Sequence, residues 1–380
     1  MHKIPLYSKT PLYTGFPKTY TKAKGMYIWS NGNKHLDMAQ FLGTHMLGYA
    51  DKYINHHVKK CIDKSNTSLL NHKYMQKFSD LMLAIHPWAD SIRLGNSGGE
   101  MMKLAYDLAL EKITHTKNPK ILFAGYFGWQ LKNIEKQNKE ILNLGVDGLN
   151  KINDYDYKPD VIFFELARHD YPTVETIEKL KKLQSQGTIL ALDEITSGFK
   201  FNYGGLHLLY DLIPDLCVFS KSIGNGYPIS CVIGKEEYVE SDLWISSTNW
   251  CDGIGFVAGY YTLKKFKHCN YRLLTKLGQS VQKIWLACAL KHGVEIKVNE
   301  VPNIACFKFK EKHLECKSLY IQEMLKEGIL ASDQYYPSFA HKADHIKIFA
   351  KACDKVFKKI KKHLTGEEKY GINMLEVLDK

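Results

Sequence analysis

The chain has 380 residues, 45% of them hydrophobic and 24% charged, and a formal charge of +12. That length fits a large domain with a smaller one rather than a single small core, and no apolar run is long enough to cross a bilayer as a helix, which excludes an integral helical membrane protein. The positive charge is almost all lysine, spread along the chain, with arginine only at Arg93, Arg168 and Arg272; the densest run, Lys355 to Lys362, reads as the solvated face of a terminal helix, so neither a nucleic-acid nor a membrane partner is expected.

In chain order, the first stretch, MHKIPLYSKTPLYTGFPKTY, lacks the apolar core of a secretory signal, and a cytoplasmic address is the expectation. The nine cysteines include no CxxC pair, which points to reduced thiols and no metal site. His56 and His57 are adjacent, so a helix would point them apart, and neither has an acidic partner at ligand spacing. The first ~45 residues hold turn-like segments such as Ser30-Asn31-Gly32-Asn33.

From about Asp90 a β/α alternation begins. Ser91–Leu94 reads as a short strand that runs into Gly95-Asn96-Ser97-Gly98-Gly99, and a helix follows with Met101, Leu104, Ala105 and Leu108 on its buried face. Lys120–Ala124, Val161–Phe164, Thr188–Leu192 and Leu216–Phe219 are continuous apolar runs, the mark of strands buried on both faces of a mostly parallel sheet. The runs end in Gly125-Tyr126, Glu165, Asp193-Glu194 and Ser220-Lys221 respectively. Ligands of open α/β sheets bind at the carboxyl ends of strands, so a site is expected from Ser97, Tyr126, Asp193 and Lys221. After residue 258 the pattern changes to a long helix from Gly255 to about Leu290, strands at Val294–Val298 and Ala305–Phe309, and helices at about 316–327 and 343–364. The expected domains are a large one over residues 46–257 and a small α+β one over residues 1–45 and 258–380.

Asp193 and Lys221 on neighbouring strand ends suit pyridoxal phosphate. A lysine amine forms an imine with the cofactor's aldehyde, and a carboxylate keeps its ring nitrogen protonated so that the ring accepts electrons. At ~3 Å and an effective dielectric of ~20, such an ion pair gains on the order of 5 kcal/mol before desolvation, up to about 4 pKa units. The glycine-rich segment at 95–99 sits between a strand and a helix N-terminus, where backbone N–H groups and the helix dipole favour an anion such as a phosphate. The same residues also suit an ordinary turn with Ser97 as helix cap.

Taken together, Asp193-Glu194-Ile195-Thr196-Ser197-Gly198-Phe199-Lys200, Asn202-Tyr203-Gly204-Gly205 and the stretch from Pro214 through Lys221 to Pro228 resemble the core of class III aminotransferases. The similarity is to the glutamate-1-semialdehyde aminomutase-like branch, including members that work on sugar or polysaccharide precursors, and covers roughly residues 25 to 345. Asn96–Glu100 resembles that family's phosphate loop, Gly125–Gly128 its ring-stacking loop and Ser246-Ser247-Thr248 a segment that reaches the neighbouring subunit's phosphate. The resemblance implies the α/β fold of type I pyridoxal-phosphate enzymes. It implies Lys221 as the Schiff-base lysine and proton carrier, and Asp193 as partner of the ring nitrogen. Tyr126 would lie against the ring, Ser97, Gly98 and Gly99 would hold the phosphate, Thr196 would line the cofactor, and Thr248 would contribute across a homodimer interface.

The sequence departs from the family pattern at Gly99, where threonine or serine is common, at Phe127 for histidine, at Leu166 for proline, at Thr196 for glutamine and at Lys200 for arginine. These changes bear on substrate rather than cofactor. Of the three arginines only Arg168, with Glu165, stands near a strand end as a candidate substrate group; a loop ion pair is the other reading of it. The segment Tyr335–His341 resembles a pocket-closing loop that offers aromatic rings, which suit a sugar as well as core packing. The expected activity is transfer of an amino group from a donor such as glutamate to a ketone or aldehyde acceptor. The alternatives are an intramolecular 2,1-aminomutase and, in another class, a non-catalytic scaffold of the same fold.

Overall fold

The computed structural model describes residues 16–372; the ends of the expected small domain, residues 1–15 and 373–380, lie outside them. The strands in chain order are β1 (Lys22–Lys24), β2 (Tyr27–Ser30), β3 (Asn33–Asp37), β4 (Ser91–Gly95), β5 (Ile121–Ala124), β6 (Leu142–Asn143), β7 (Val161–Phe164), β8 (Ile189–Asp193), β9 (Leu216–Phe219), β10 (Ser230–Gly234), β11 (Ile296–Val298), β12 (Ala305–Phe309), β13 (Ile329–Leu330) and β14 (Gln334–Tyr335). The chain divides into two compact units.

The larger unit, Gly43–His45 and Asp51–Arg272, is built on a seven-stranded sheet of order β4-β10-β9-β8-β7-β5-β6. β10 runs antiparallel to both its neighbours, and the other six strands share one direction. β5, β7, β8, β9 and β10 are buried at every position, because helices cover both faces of a sheet made by crossover connections. The helix Gly98–Glu111 buries Met101, Leu104, Ala105 and Leu108 as their spacing predicts, together with Met102, Tyr106 and Ala109. β10 was not expected: its five residues follow the Lys221 turn closely and return against β9.

The other unit comprises, within the described residues, 16–42, Met46–Ala50 and 273–372. β1, β2 and β3 form an antiparallel meander to which β13 adds in parallel, and β11, β12 and β14 form a second small sheet. The meander, too, was unexpected, because a short strand such as Lys22-Ala23-Lys24 shows no apolar alternation. The core gathers Trp285, Phe307, Tyr320, Phe349 and Phe357 from both the helices and β12.

The single long helix expected from Gly255 to Leu290 is two helices, Gly253–Phe266 and Tyr271–His292. They are separated at Asn270, whose side chain accepts from the backbone N of Arg272 and so starts the second helix. The first packs on the helices Lys52–Ile62 and Lys73–Ile85, which carries the larger unit on to Arg272 rather than residue 257. Among the described residues no helix is long and apolar enough to cross a membrane.

Candidate active site

The carboxyl ends of β4, β5, β7, β8 and β9 lie along one edge of the sheet and carry Ser97–Gly99, Tyr126, Glu165–Arg168, Asp193–Thr196 and Lys221 respectively. β8 and β9 are neighbours, with Asp193 opposite Val218, so Asp193 and Lys221 emerge side by side.

Lys221 opens a short 3-10 turn with a left-handed backbone, φ +48°. Such a conformation is costly for a side-chain-bearing residue and collects at functional positions. Its Nζ donates to the hydroxyl of Thr196 at 2.8 Å. Desolvation and then the guanidinium of Arg168 pull the Lys221 amine below the usual lysine range, against the opposing pull of Asp193 and Glu165. A less basic amine has its lone pair available nearer neutral pH.

Asp193 is 3% exposed. Its Oδ1 accepts from the backbone N of Ile195 at 2.7 Å. Burial first, and the negative charge of Glu165 second, push its carboxyl upward, and Ile195, Lys221 and Arg168 offset only part of that. A buried carboxyl so short of positive charge suits a cationic partner such as a protonated ring nitrogen.

Glu165 and Arg168 form a two-point ion pair, Nε to Oε2 at 2.8 Å and Nη2 to Oε1 at 2.5 Å. Glu165 Oε2 also accepts the backbone N of Tyr126 at 2.9 Å, and the Arg168 guanidinium lies 5.9 Å from the Tyr126 ring centre. Arg168 thus sits in a loop ion pair with Glu165 beside Tyr126. The Tyr126 side chain itself stays half exposed.

Ser97 caps the helix Gly98–Glu111: its hydroxyl accepts from Glu100 N at 3.4 Å and donates to Glu100 Oε2 at 2.9 Å. A Cβ on Gly98 would come within 2.8 Å of Ile195 Cδ1 and 3.2 Å of Ser220 Cβ, so any larger residue makes Ile195 shift; this close approach seats the anion-favouring helix end beside the Asp193 and Lys221 loops. A Cβ on Gly99 would meet only Gln130 Oε1 at 3.8 Å and Trp129 Nε1 at 3.9 Å, so the space is open and the indole N–H of Trp129 edges it as a donor. An open cradle edged by polar groups at a helix N-terminus fits a phosphate. Together with the Lys221 amine and the charge-poor Asp193, the residues present fit pyridoxal phosphate.

Thr248 is exposed at the start of the short turn Thr248–Cys251. Its neighbour Asn249 accepts from the Asn96 side chain at 2.9 Å, just before Ser97. Tyr335 and Tyr336 are 1% and 3% exposed, so these rings pack a core and present no face to a sugar. Two features escaped the sequence reading: the burial of Lys200, named there only as a departure from the family pattern, with its Nζ on the Gly43 carbonyl at 2.6 Å, and the cluster around Glu194. The doublet Asp193-Glu194 was the available signal, since consecutive strand residues face opposite ways.

No family model matches the chain. It is 25% identical to the glutamate-1-semialdehyde 2,1-aminomutase of Fusobacterium nucleatum over 89% of each chain, and 24% identical to glutamate-1-semialdehyde 2,1-aminomutase 2 of Shouchella clausii over 87% of this chain and 88% of that one. Its fold matches an internal aldimine form of the Sphingopyxis FumI protein with a TM-score of 0.83 at 19% identity, covering 94% and 92% of the two chains. An omega-transaminase from Sphaerobacter thermophilus matches with a TM-score of 0.83 at 16% identity over 94% and 95%. Over most of its length the chain is similar to glutamate-1-semialdehyde 2,1-aminomutases, and it shares its fold with transaminases that bind pyridoxal phosphate.

Proposed function

We propose that the chain is an aminotransferase that moves an amino group from an amino donor to a ketone or aldehyde acceptor, with Lys221 as its catalytic lysine. The observation that carries the reading is the Lys221 amine, held by Thr196 on the strand end next to the buried carboxyl of Asp193. When bound, the cofactor supplies an aldehyde for the amine and an electron-accepting ring.

The chain's own residues do the rest. Lys221 takes a proton from the substrate carbon and returns it, and the Thr196 hydroxyl holds its Nζ in one direction. Asp193 holds positive charge at the ring nitrogen. The first turn of the helix Gly98–Glu111, with Ser97, Gly98 and Gly99, holds the phosphate. Tyr126, fixed through its backbone N by Glu165, covers one ring face, an offset aromatic contact worth about 1 kcal/mol. Thr248, exposed on its own subunit, reaches the phosphate of a second copy in a homodimer.

Arg168 is engaged by Glu165, Arg93 holds the Val239 carbonyl and Glu240, and Arg272 lies in the first turn of its helix. An acceptor without a carboxylate therefore suits the chain, because a planar arginine fork is the usual grip on that group. The curated relatives favour a second reading, an intramolecular amino shift.

The test is a panel of amino donors added to the cofactor-loaded enzyme, followed by absorbance and product analysis. Aminotransfer predicts that one donor bleaches the visible band and that an acceptor restores it, with two distinct products. Turnover of a single substrate to its isomer, with no second reactant, would replace transfer by the amino shift.

A further inference from the structure

Asp193 and Glu194 are consecutive at the end of β8, where successive side chains leave on opposite faces. Asp193 belongs to the Lys221 site; Glu194 enters a polar cluster behind it with the buried Ser197 and His207. Glu194 Oε1 accepts from the backbone N of His207 at 3.0 Å and from its Nδ1 at 2.9 Å, and Oε2 accepts the Ser197 hydroxyl. His207 Nε2 lies 3.2 Å from Trp88 Nε1. An indole N–H only donates, so Nε2 accepts and Nδ1 carries a proton toward Glu194. His86 stacks on this ring with centroids 5.6 Å apart. Gly205 leaves the space: a Cβ there would come within 2.7 Å of Glu194 Oε1 and 2.4 Å of the His207 ring.

One carboxylate thus grips both ends of the loop that leaves β8, at Ser197 and at His207. That loop carries Thr196, which holds the Lys221 amine. It is stitched to the lysine's own turn, with Glu194 N donating to Val218 O at 2.9 Å and Ser222 Oγ donating to Gly198 O at 2.8 Å.

We propose that Glu194, backed by His207 and Trp88, is a positioning residue that fixes the turn after β8 so that Asp193 and Thr196 address the cofactor ring and the Lys221 amine together. The proposal rests on the reading of Lys221 and Asp193 given above. Glu194 itself does not touch the reacting atoms.

The experiment compares wild type with Glu194→Gln, His207→Leu, His207→Gln and Trp88→Phe, after circular dichroism has shown each to be folded. Three readouts are taken: apoenzyme affinity for pyridoxal phosphate, the pH midpoint of the loaded enzyme's visible band, and kcat against KM for the best donor of the panel. Glu194→Gln and His207→Leu are expected to weaken cofactor binding about tenfold or more, the scale on which partners that orient direct metal ligands act. They also displace the midpoint and lower kcat with little change in KM. His207→Gln keeps an N–H donor for the carboxylate and stays near wild type, and Trp88→Phe lies between. Folded Glu194→Gln and His207→Leu with the wild-type midpoint, affinity and kcat overturn the proposal, even if they melt earlier. Should both fail to fold, Trp88→Phe decides, and a wild-type midpoint there overturns it. A wild type that forms no visible adduct overturns the Lys221 reading instead.

Discussion

Glu323 in the smaller unit and Asp193 in the larger are almost equally hidden, at 2% and 3% exposure, yet their surroundings push them opposite ways. Burial alone would raise the Glu323 carboxyl, but Lys326 at 2.5 Å and Lys359 at 2.6 Å outweigh it and hold it below the usual glutamate range. Asp193 is raised by burial and by Glu165, with too little opposing charge. The first arrangement stabilises a fold. The second stores a cost at the edge of the sheet where a cofactor would relieve it, the pattern expected of a site and not of a structural ion pair.

Substitutions sharpen that contrast. The largest effect belongs to Lys221→Ala: loss of its proton transfer alone predicts a fall in kcat of about 10²–10⁴-fold, with the apoenzyme melting no earlier than wild type. Asp193→Asn is next, with kcat down by roughly two powers of ten, at about 1.4 kcal/mol each, and apoenzyme stability held or raised, because a strained charge is gone. A stable but inactive pair breaks no fold; an unstable Asp193→Asn would contradict the assignment of strain.

Lys200 gives a pH signature. Burial first and the charge of Lys221 second lower its amine to about 7. Between that value and the unfolded lysine range the unfolded chain binds more protons, so apoenzyme stability rises with pH across that window and the rise is complete above the unfolded value. At about 1.4 kcal/mol per unit the rise is a few kcal/mol at most. Denaturant titrations from pH 7 to 10 should show it, and Lys200→Met should flatten it. Glu323→Gln shows the smallest effect, about 1–2 kcal/mol of stability, discounted because both lysines are partly exposed. Since the Glu323 carboxyl is depressed, that stability is present above the unfolded glutamate value and lost as pH falls through the folded one, while the visible band and kcat stay unchanged.

The legible parts of the molecule were those where one physical demand dominates. Val161–Phe164 and Leu216–Phe219 read as strands because both faces are buried, and strand ends then pointed to Ser97, Tyr126, Asp193 and Lys221. β10 escaped because direction within a sheet leaves no mark in five residues, and the break at Asn270 because apolar periodicity continues across it. The Glu194 cluster was illegible for a different reason: His207 and Trp88, 119 residues apart in sequence, meet only through the fold.

The most direct test of the central claim is borohydride reduction of the wild-type enzyme loaded with pyridoxal phosphate, followed by peptide mapping, beside Lys221→Ala treated the same way. The account predicts a stable cofactor adduct on the peptide that carries Lys221 and none in the variant. An adduct on another lysine, or none in wild type, would contradict it.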